Sequence, residues 1–293
     1  MEEEVRFQSE GLKLAGVLNV PDGRKAGERL PVFVIAHGFG SHKGAGNVLS
    51  LVKMLGGWGY ATLRFDMRGC GESEGERGRL ICLEQVADTQ SAISFLETRE
   101  EIDPKRIALI GSSFGAAVVL YTGGIDKRVA AVVSSGGWGH GERKFRGQHP
   151  TPEAWEKFTG ILAKGKAHKE KTGESLWVDR YDIVPIPEHL RHNVLKGSID
   201  EFPVDTAQSM YDFRAEDVIA GLSPRPLLLL HSSVDSVTPT EQSIGLFNAA
   251  GKPKDLHFFN ETDHFMFAEG NTRVFSTVKA WLDMYFPVKP GAA

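Results

Sequence analysis

Apolar and polar positions along this chain switch repeatedly between two spacings, and the switching predicts strands alternating with helices. Val5-Arg6-Phe7 and Leu12 to Val20 read as two strands joined at the turn-forming Glu10-Gly11, with Pro21-Asp22-Gly23 ending the second. Pro31 to Ala36 is a continuous β-branched and aromatic run. Without polar alternation it predicts a central parallel strand buried on both faces. The chain then breaks at His37-Gly38-Phe39-Gly40. Leu49, Val52, Leu55 and Trp58 recur every three residues, which predicts a helix over 47–58 with these four on one buried stripe, closed by Gly59.

The alternation continues with a strand over 60–65, a helix over 83–96, a strand over 106–110, a helix over 114–121 and a strand over 129–133. It resumes late, with strands at Pro226 to Leu230 and Leu256 to Phe259 and a closing helix over 272–285. Strands separated by helices of this length cross over right-handed and lie parallel. The expected fold class is therefore α/β, a mostly parallel, doubly wound sheet of about eight strands with helices on both faces. About 90 residues separate Val133 from Pro226, far more than one crossover needs. They combine charged runs such as Glu142-Arg143-Lys144 with Trp138, Trp155, Phe158, Trp177 and Tyr181, a mixture that predicts a helical cap and not a linker. The expected division is a core of 1–137 and 213–293 with a cap insertion at 138–212 after the sixth strand.

Charge and composition narrow the partners. A formal charge of -4 offers no basic surface for a phosphate backbone or an anionic membrane, so neither nucleic acid nor membrane is expected. Met1-Glu2-Glu3-Glu4 is acidic where a secretory leader is basic, and no run reaches the roughly 18 apolar residues of a membrane span. A cytoplasmic protein is expected. The two cysteines, Cys70 and Cys82, are read as free thiols, with no zinc-ligand spacing. Nothing specifies an oligomeric state.

Gly111-Ser112-Ser113-Phe114-Gly115 fits the nucleophile elbow G-x-S-x-G and lies where that motif must, between a buried strand and an apolar helix. The turn forces its serine into a strained backbone, and side chains two residues to either side would strike the neighbouring elements. Ser113 is thus the candidate nucleophile, with Ser112 at the variable position. A serine hydroxyl needs an imidazole to take its proton. Of ten histidines, His264 follows the last strand and precedes the closing helix, at the sheet edge facing the serine. His257 lies within a strand, His231 ends one, and His140, His149, His168, His189 and His192 fall in the cap. The imidazole in turn needs an acid. Asp235 follows the preceding strand, whereas the side chain of Asp263, adjacent to His264, should diverge from the ring. The strand before the cap ends in Ser134-Ser135-Gly136-Gly137, with no acid. The oxyanion hole is expected from the backbone N–H groups of Phe39 and Phe114. His37 is read as packing the loop.

These motifs, with Asp66-Met67-Arg68-Gly69-Cys70-Gly71-Glu72-Ser73, occur in the order found in α/β hydrolases, and the chain resembles that superfamily over about residues 5 to 286. Asp103-Pro104-Lys105-Arg106-Ile107 is similar to the dienelactone-hydrolase and prolyl-peptidase-like branch. The resemblance implies acylation of Ser113, release of alcohol, amine or thiol, and hydrolysis of the acyl-enzyme by water that His264 activates. It implies no metal or organic cofactor. It also implies a cap over the site, which makes Trp138 a candidate pocket wall.

The leading expectation is a carboxylic-ester hydrolase acting on a small-molecule acyl substrate. Amide, thioester and carbon–carbon bond hydrolysis use the same machinery, and a binding-only member of the fold is the alternative outside enzymes. Haloalkane dehalogenase and epoxide hydrolase chemistry needs a carboxylate where Ser113 stands.

Overall fold

The computed structural model describes residues 1–25, 27–268 and 270–289. Its main sheet has eight strands: β1 (Glu2–Ser9), β2 (Leu12–Asn19), β3 (Leu30–Ala36), β4 (Ala61–Phe65), β5 (Ile102–Ser112), β6 (Val129–Ser135), β9 (Leu227–Ser232) and β10 (Lys254–Phe259). Between β6 and β9 the short strands β7 (Trp177–Asp179) and β8 (Glu201–Pro203) form a separate antiparallel pair. The order across the main sheet is β1-β2-β4-β3-β5-β6-β9-β10, and β2 runs against both its neighbours while the strands from β4 to β10 are parallel.

Side chains alternate faces along a strand, so a strand covered on both sides must be apolar throughout. All seven residues of β3 are buried, Val32 and Val34 toward one helical layer and Phe33 and Ile35 toward the other. Helices α1 (Gly46–Gly57) and α9 (Thr272–Tyr285) pack on the Phe33 side. Helices α2 (Cys82–Glu97), α3 (Phe114–Ile125) and α8 (Glu241–Ala249) contribute to the Val32 side.

Two expectations change. The buried stripe of α1 runs through Val48, Leu51, Met54 and Leu55, and Leu49 is exposed. A strict three-residue spacing drifts off a 3.6-residue helix, and the 48-51-55 set keeps to its face. Strand β5 also starts earlier than the apolar run, because its ladder with β3 opens at Leu30–Ile102 and shifts register before resuming at Val32–Ile107.

The insertion carries α4 (Gly141–Gln148), α5 (Pro152–Thr172), α6 (Arg180–Ile183) and α7 (Val204–Asp212), together with the β7–β8 pair. Thr151 caps α5 by accepting from Ala154 N–H at 3.2 Å, Pro152 sits in its first turn, and Gly173 leaves it at φ 79°. The inserted aromatics do not form a core of their own. Phe145, Phe158 and Phe202 belong to the same buried cluster as β3 and α3.

Candidate active site

The C-terminal ends of β3, β5, β6, β9 and β10 open on one edge of the sheet, the edge where loops of open α/β sheets bind ligands. Ser113 stands between β5 and α3 at φ 54° and ψ -117°, a left-handed conformation that costs a non-glycine residue about 1–3 kcal/mol. Its own N–H is held by Ser135 O at 2.8 Å. A Cβ on Gly111 would lie 2.5 Å from the carbonyl carbon of Gly115, and one on Gly115 would strike the carbonyl oxygens of Ala36 and His37. The elbow is therefore wedged between its helix and β3, and neither glycine can be enlarged. Phe114 begins α3, so its N–H lies among those a helix leaves without an internal acceptor.

His264 and Asp235 meet across the ends of β10 and β9. The ring donates from Nδ1 to Asp235 Oδ2 at 2.9 Å, with Oδ1 at 3.1 Å. Asp235 Oδ1 also accepts the N–H groups of Val237 at 2.8 Å and Thr238 at 2.7 Å. Burial opposes its charge, but His264 and two imidazole hydrogen bonds hold the carboxyl well below the usual carboxylate range. Asp263 turns away as expected: its carboxylate accepts from Ser236 N–H at 2.9 Å and Ser236 Oγ–H at 2.7 Å.

Ser113, His264 and Phe39 line one narrow cavity of about 60 Å³ beneath the insertion. Arg180 and His264 are the titratable side chains on that lining, and it contains no carboxylate among the described residues. A wider hollow of about 800 Å³ between α1 and α9 touches none of these groups. Trp138 does not line the cavity. It is 1% exposed, its ring 5.8 Å from that of Phe114 and 6.5 Å from that of Phe213. Expected as a pocket wall, it instead packs behind the elbow helix, because Gly136-Gly137 turns the chain back over α3, where a Cβ on Gly137 would lie 2.9 Å from Ala116 Cβ. His37 packs its loop, its Nδ1 2.9 Å from Gly38 O and its Nε2 accepting Met67 N–H at 3.2 Å.

Three contributors have little trace in the sequence. His231 is wholly buried with Nε2 3.2 Å from Asp235 Oδ2, a second imidazole on the acid. Its one signal is a polar residue closing a run of four leucines, which demands a buried partner. Gly136, at φ 61°, leaves room for the imidazole, since a Cβ there would lie 3.3 Å from His264 Nδ1. Arg180 reaches the loop after β3 from the insertion. Among the described residues no groups of three or more His, Cys, Asp or Glu are placed to hold a metal ion. Cys70 and Cys82 are buried free thiols, and burial pushes the Cys82 thiol up to about 12. No described helix is long and apolar enough to cross a membrane.

Sheet order, elbow and cavity define an α/β hydrolase. The chain belongs to the family described as serine aminopeptidase S33 (Hydrolase_4), which it matches over residues 27–271, and it is a hydrolase. It is 31% identical over 270 residues to a 31.7 kDa uncharacterized protein in the traX-finO intergenic region of Escherichia coli, covering 89% of this chain and 91% of that one. It is 27% identical to the thiohydrolase aneE of Aspergillus aculeatus, covering 89% and 86%. Among solved structures, the hypothetical protein PA2218 of Pseudomonas aeruginosa superposes with a TM-score of 0.81 at 23% identity over 98% of this chain and 94% of that one.

Proposed function

We propose that the protein is a serine hydrolase that cleaves a carboxylic ester of a small acyl substrate through an acyl-enzyme. Ser113 Oγ attacks the acyl carbon while His264 Nε2 takes its proton. The tetrahedral oxyanion is received by the N–H groups of Phe39 and Phe114. The protonated His264, its imidazolium stabilised and oriented by Asp235, returns the proton to the departing alkoxide, and water repeats the sequence in reverse to free the acid. The observation that carries this reading is the buried Nδ1–carboxylate bond of 2.9 Å, whose imidazole shares one cavity with the strained serine.

The family description names an aminopeptidase, but a free amino terminus is a cation and calls for a carboxylate in the pocket. The lining offers Arg180 instead, which favours neutral or anionic substrates over amines. Thioester cleavage is the second reading, supported by the thiohydrolase relative. A fluorophosphonate probe tests the nucleophile: labelling of the wild type that disappears in Ser113→Ala is expected, and labelling that survives the substitution refutes the assignment. Matched p-nitrophenyl esters, thioesters and anilides then rank the bond types, and an anilide preference would refute the ester reading.

A further inference from the structure

We infer that Arg180 is the positioning residue that locks the oxyanion loop, so that the oxyanion hole is completed by the insertion and not by the core alone. The inference rests on the serine-hydrolase reading above and on Phe39 N–H as an oxyanion donor.

The geometry is a fork. Arg180 is 3% exposed, and its guanidinium donates from Nη1 to Phe39 O at 2.9 Å, from Nη2 to Gly40 O at 3.2 Å and from Nε to Ile199 O at 2.8 Å. Gly38 to Ser41 is a four-residue turn closed by Ser41 N–H to Gly38 O at 3.1 Å, with Gly40 at φ 54° in its third position. The central peptide of such a turn flips at small cost when glycine follows it. Its carbonyl is Phe39 O, the one that Arg180 holds. The preceding peptide is fixed from the core side through Gly38 O, which Ser41 N–H and His37 Nδ1 both reach. Both peptide planes flanking Phe39 are thereby pinned, one by the core and one by the insertion.

Two further contacts bind the same loop to the inserted chain, and a third holds Arg180 within it. Ile199 N–H donates to Gly40 O at 2.9 Å, and Arg180 N–H donates to Asp200 O at 2.7 Å. The Phe39 ring stacks on that of Phe202 with centroids 4.2 Å apart. A Cβ on Gly40 would strike Phe202 and come within 2.7 Å of Arg180 Nη2, so the glycine is what admits the clamp.

Charge adds to shape. No carboxylate lies within ion-pairing distance of Arg180 among the described residues; its hydrogen-bond partners are three backbone carbonyls, and its guanidinium also faces the rings of Phe39 and Phe202 at 5.3 and 5.4 Å. A buried cation without a counter-ion is costly, and arginine does not escape by losing its proton. It lines the cavity in which negative charge develops on the acyl oxygen, so its field is most favourable when the tetrahedral intermediate forms. Lysine could supply the charge but not a planar fork reaching successive carbonyls.

The test compares wild type, Arg180→Met and Arg180→Lys on a p-nitrophenyl ester and with a trifluoromethyl ketone, whose serine adduct is a tetrahedral oxyanion. Both variants are expected to lose about tenfold to a hundredfold in kcat, with KM changing less than about threefold and trifluoromethyl ketone affinity falling in step with kcat. Guanidinium ion added to Arg180→Gly should restore part of kcat. A merely structural arginine would lower the melting temperature and leave ketone affinity per folded molecule unchanged, and that result overturns the proposal. Should Arg180→Met fail to fold, Arg180→Lys supplies the same comparison. Absence of fluorophosphonate labelling in the wild type would defeat the serine-hydrolase reading itself, a result separate from any behaviour of Arg180.

Discussion

His231 and His264 approach the carboxylate of Asp235 from two sides, with His231 Nε2 3.2 Å and His264 Nδ1 2.9 Å from the same Oδ2. His231 Nε2 also lies 3.0 Å from Thr238 O, so it faces two acceptors and carries the proton, while Nδ1 accepts from Ser243 Oγ at 2.6 Å. Ser243, His231, Asp235 and His264 form one hydrogen-bonded chain running from α8 to the cavity. Replacing His231 with leucine strips a donor from a buried carboxylate and leaves Ser243 and Thr238 O unsatisfied. We expect a loss of about 2–4 kcal/mol in urea unfolding and about tenfold in kcat/KM. His231→Gln, which keeps a donor, should recover part of both. Full activity in the leucine variant would show that the second imidazole does nothing for the acid.

Lys144 predicts an unusual pH response. Its side chain is buried with Nζ 4.7 Å from the Trp138 ring centroid and 3.9 Å from that of Phe145, and it has no hydrogen-bond partner among the described residues. Burial pushes the amine down to about 7. The unfolded chain keeps its proton up to about pH 10.4, so between about 7 and 10 unfolding takes up a proton and stability climbs as pH rises. Below about 7 both states are protonated and the desolvation cost is complete, offset in part by the two rings. Lys144→Met should stabilise by about 2–4 kcal/mol at pH 6, with the gain over wild type shrinking toward pH 10. Urea unfolding of both proteins at pH 6, 8 and 10 measures it. A gain that stayed constant with pH would mean the amine does not titrate in this window.

The fold was legible because its strands announce themselves: Pro31 to Ala36 and Leu227 to Leu230 admit few readings other than strands covered on both faces. The elbow was legible for a steric reason, since the collisions that demand Gly111 and Gly115 lie within a few residues of Ser113. Asp235 and His264 followed from their places after successive strands. Arg180 was not legible, because its partners at Phe39 and Gly40 are backbone atoms some 140 positions away and leave no side-chain pattern. Trp138 misled because an aromatic at the start of an insertion can face either the cavity or the core. The choice is made by the Gly136-Gly137 turn, whose direction depends on packing against Ala116 and His264.

Asp66 ties the loop after β3 to the turn after β4. Its wholly buried carboxylate accepts Lys43 N–H at 2.6 Å, Lys43 Nζ at 2.8 Å and Glu72 N–H at 2.9 Å. Gly71 must be glycine beside it, since a Cβ there would strike that carboxylate. Burial opposes the charge, but the Glu72 and Lys43 bonds hold the carboxyl below its ordinary value. A depressed carboxyl contributes stability above its unfolded pKa of about 3.9 and loses it as pH falls toward the folded value. Asp66→Asn should cost about 2–4 kcal/mol at pH 7 and flatten the acid limb of the stability curve below about pH 4. Acid titration of the two proteins followed by circular dichroism checks this, and an unaltered acid limb would remove Asp66 from its causes.

Gly136 separates positioning of the base from chemistry. At φ 61° it sits where a side chain is strained, and its added Cβ would meet His264 Cε1 and Nδ1 at 3.3 Å and Asp235 Oδ2 at 3.5 Å. Gly136→Ala therefore presses on the proposed base without removing any hydrogen-bonding group. The left-handed backbone alone costs about 1–2 kcal/mol in stability. If His264 must stay aligned with both Asp235 and Ser113, a shift of a few tenths of an ångström also lowers kcat, by about tenfold or more, with KM little changed. Fluorophosphonate labelling should slow by the same factor, since it too requires the imidazole to take the serine proton. A variant that lost only stability and labelled at the wild-type rate would show that the imidazole keeps its alignment when crowded, and that the glycine serves the turn alone.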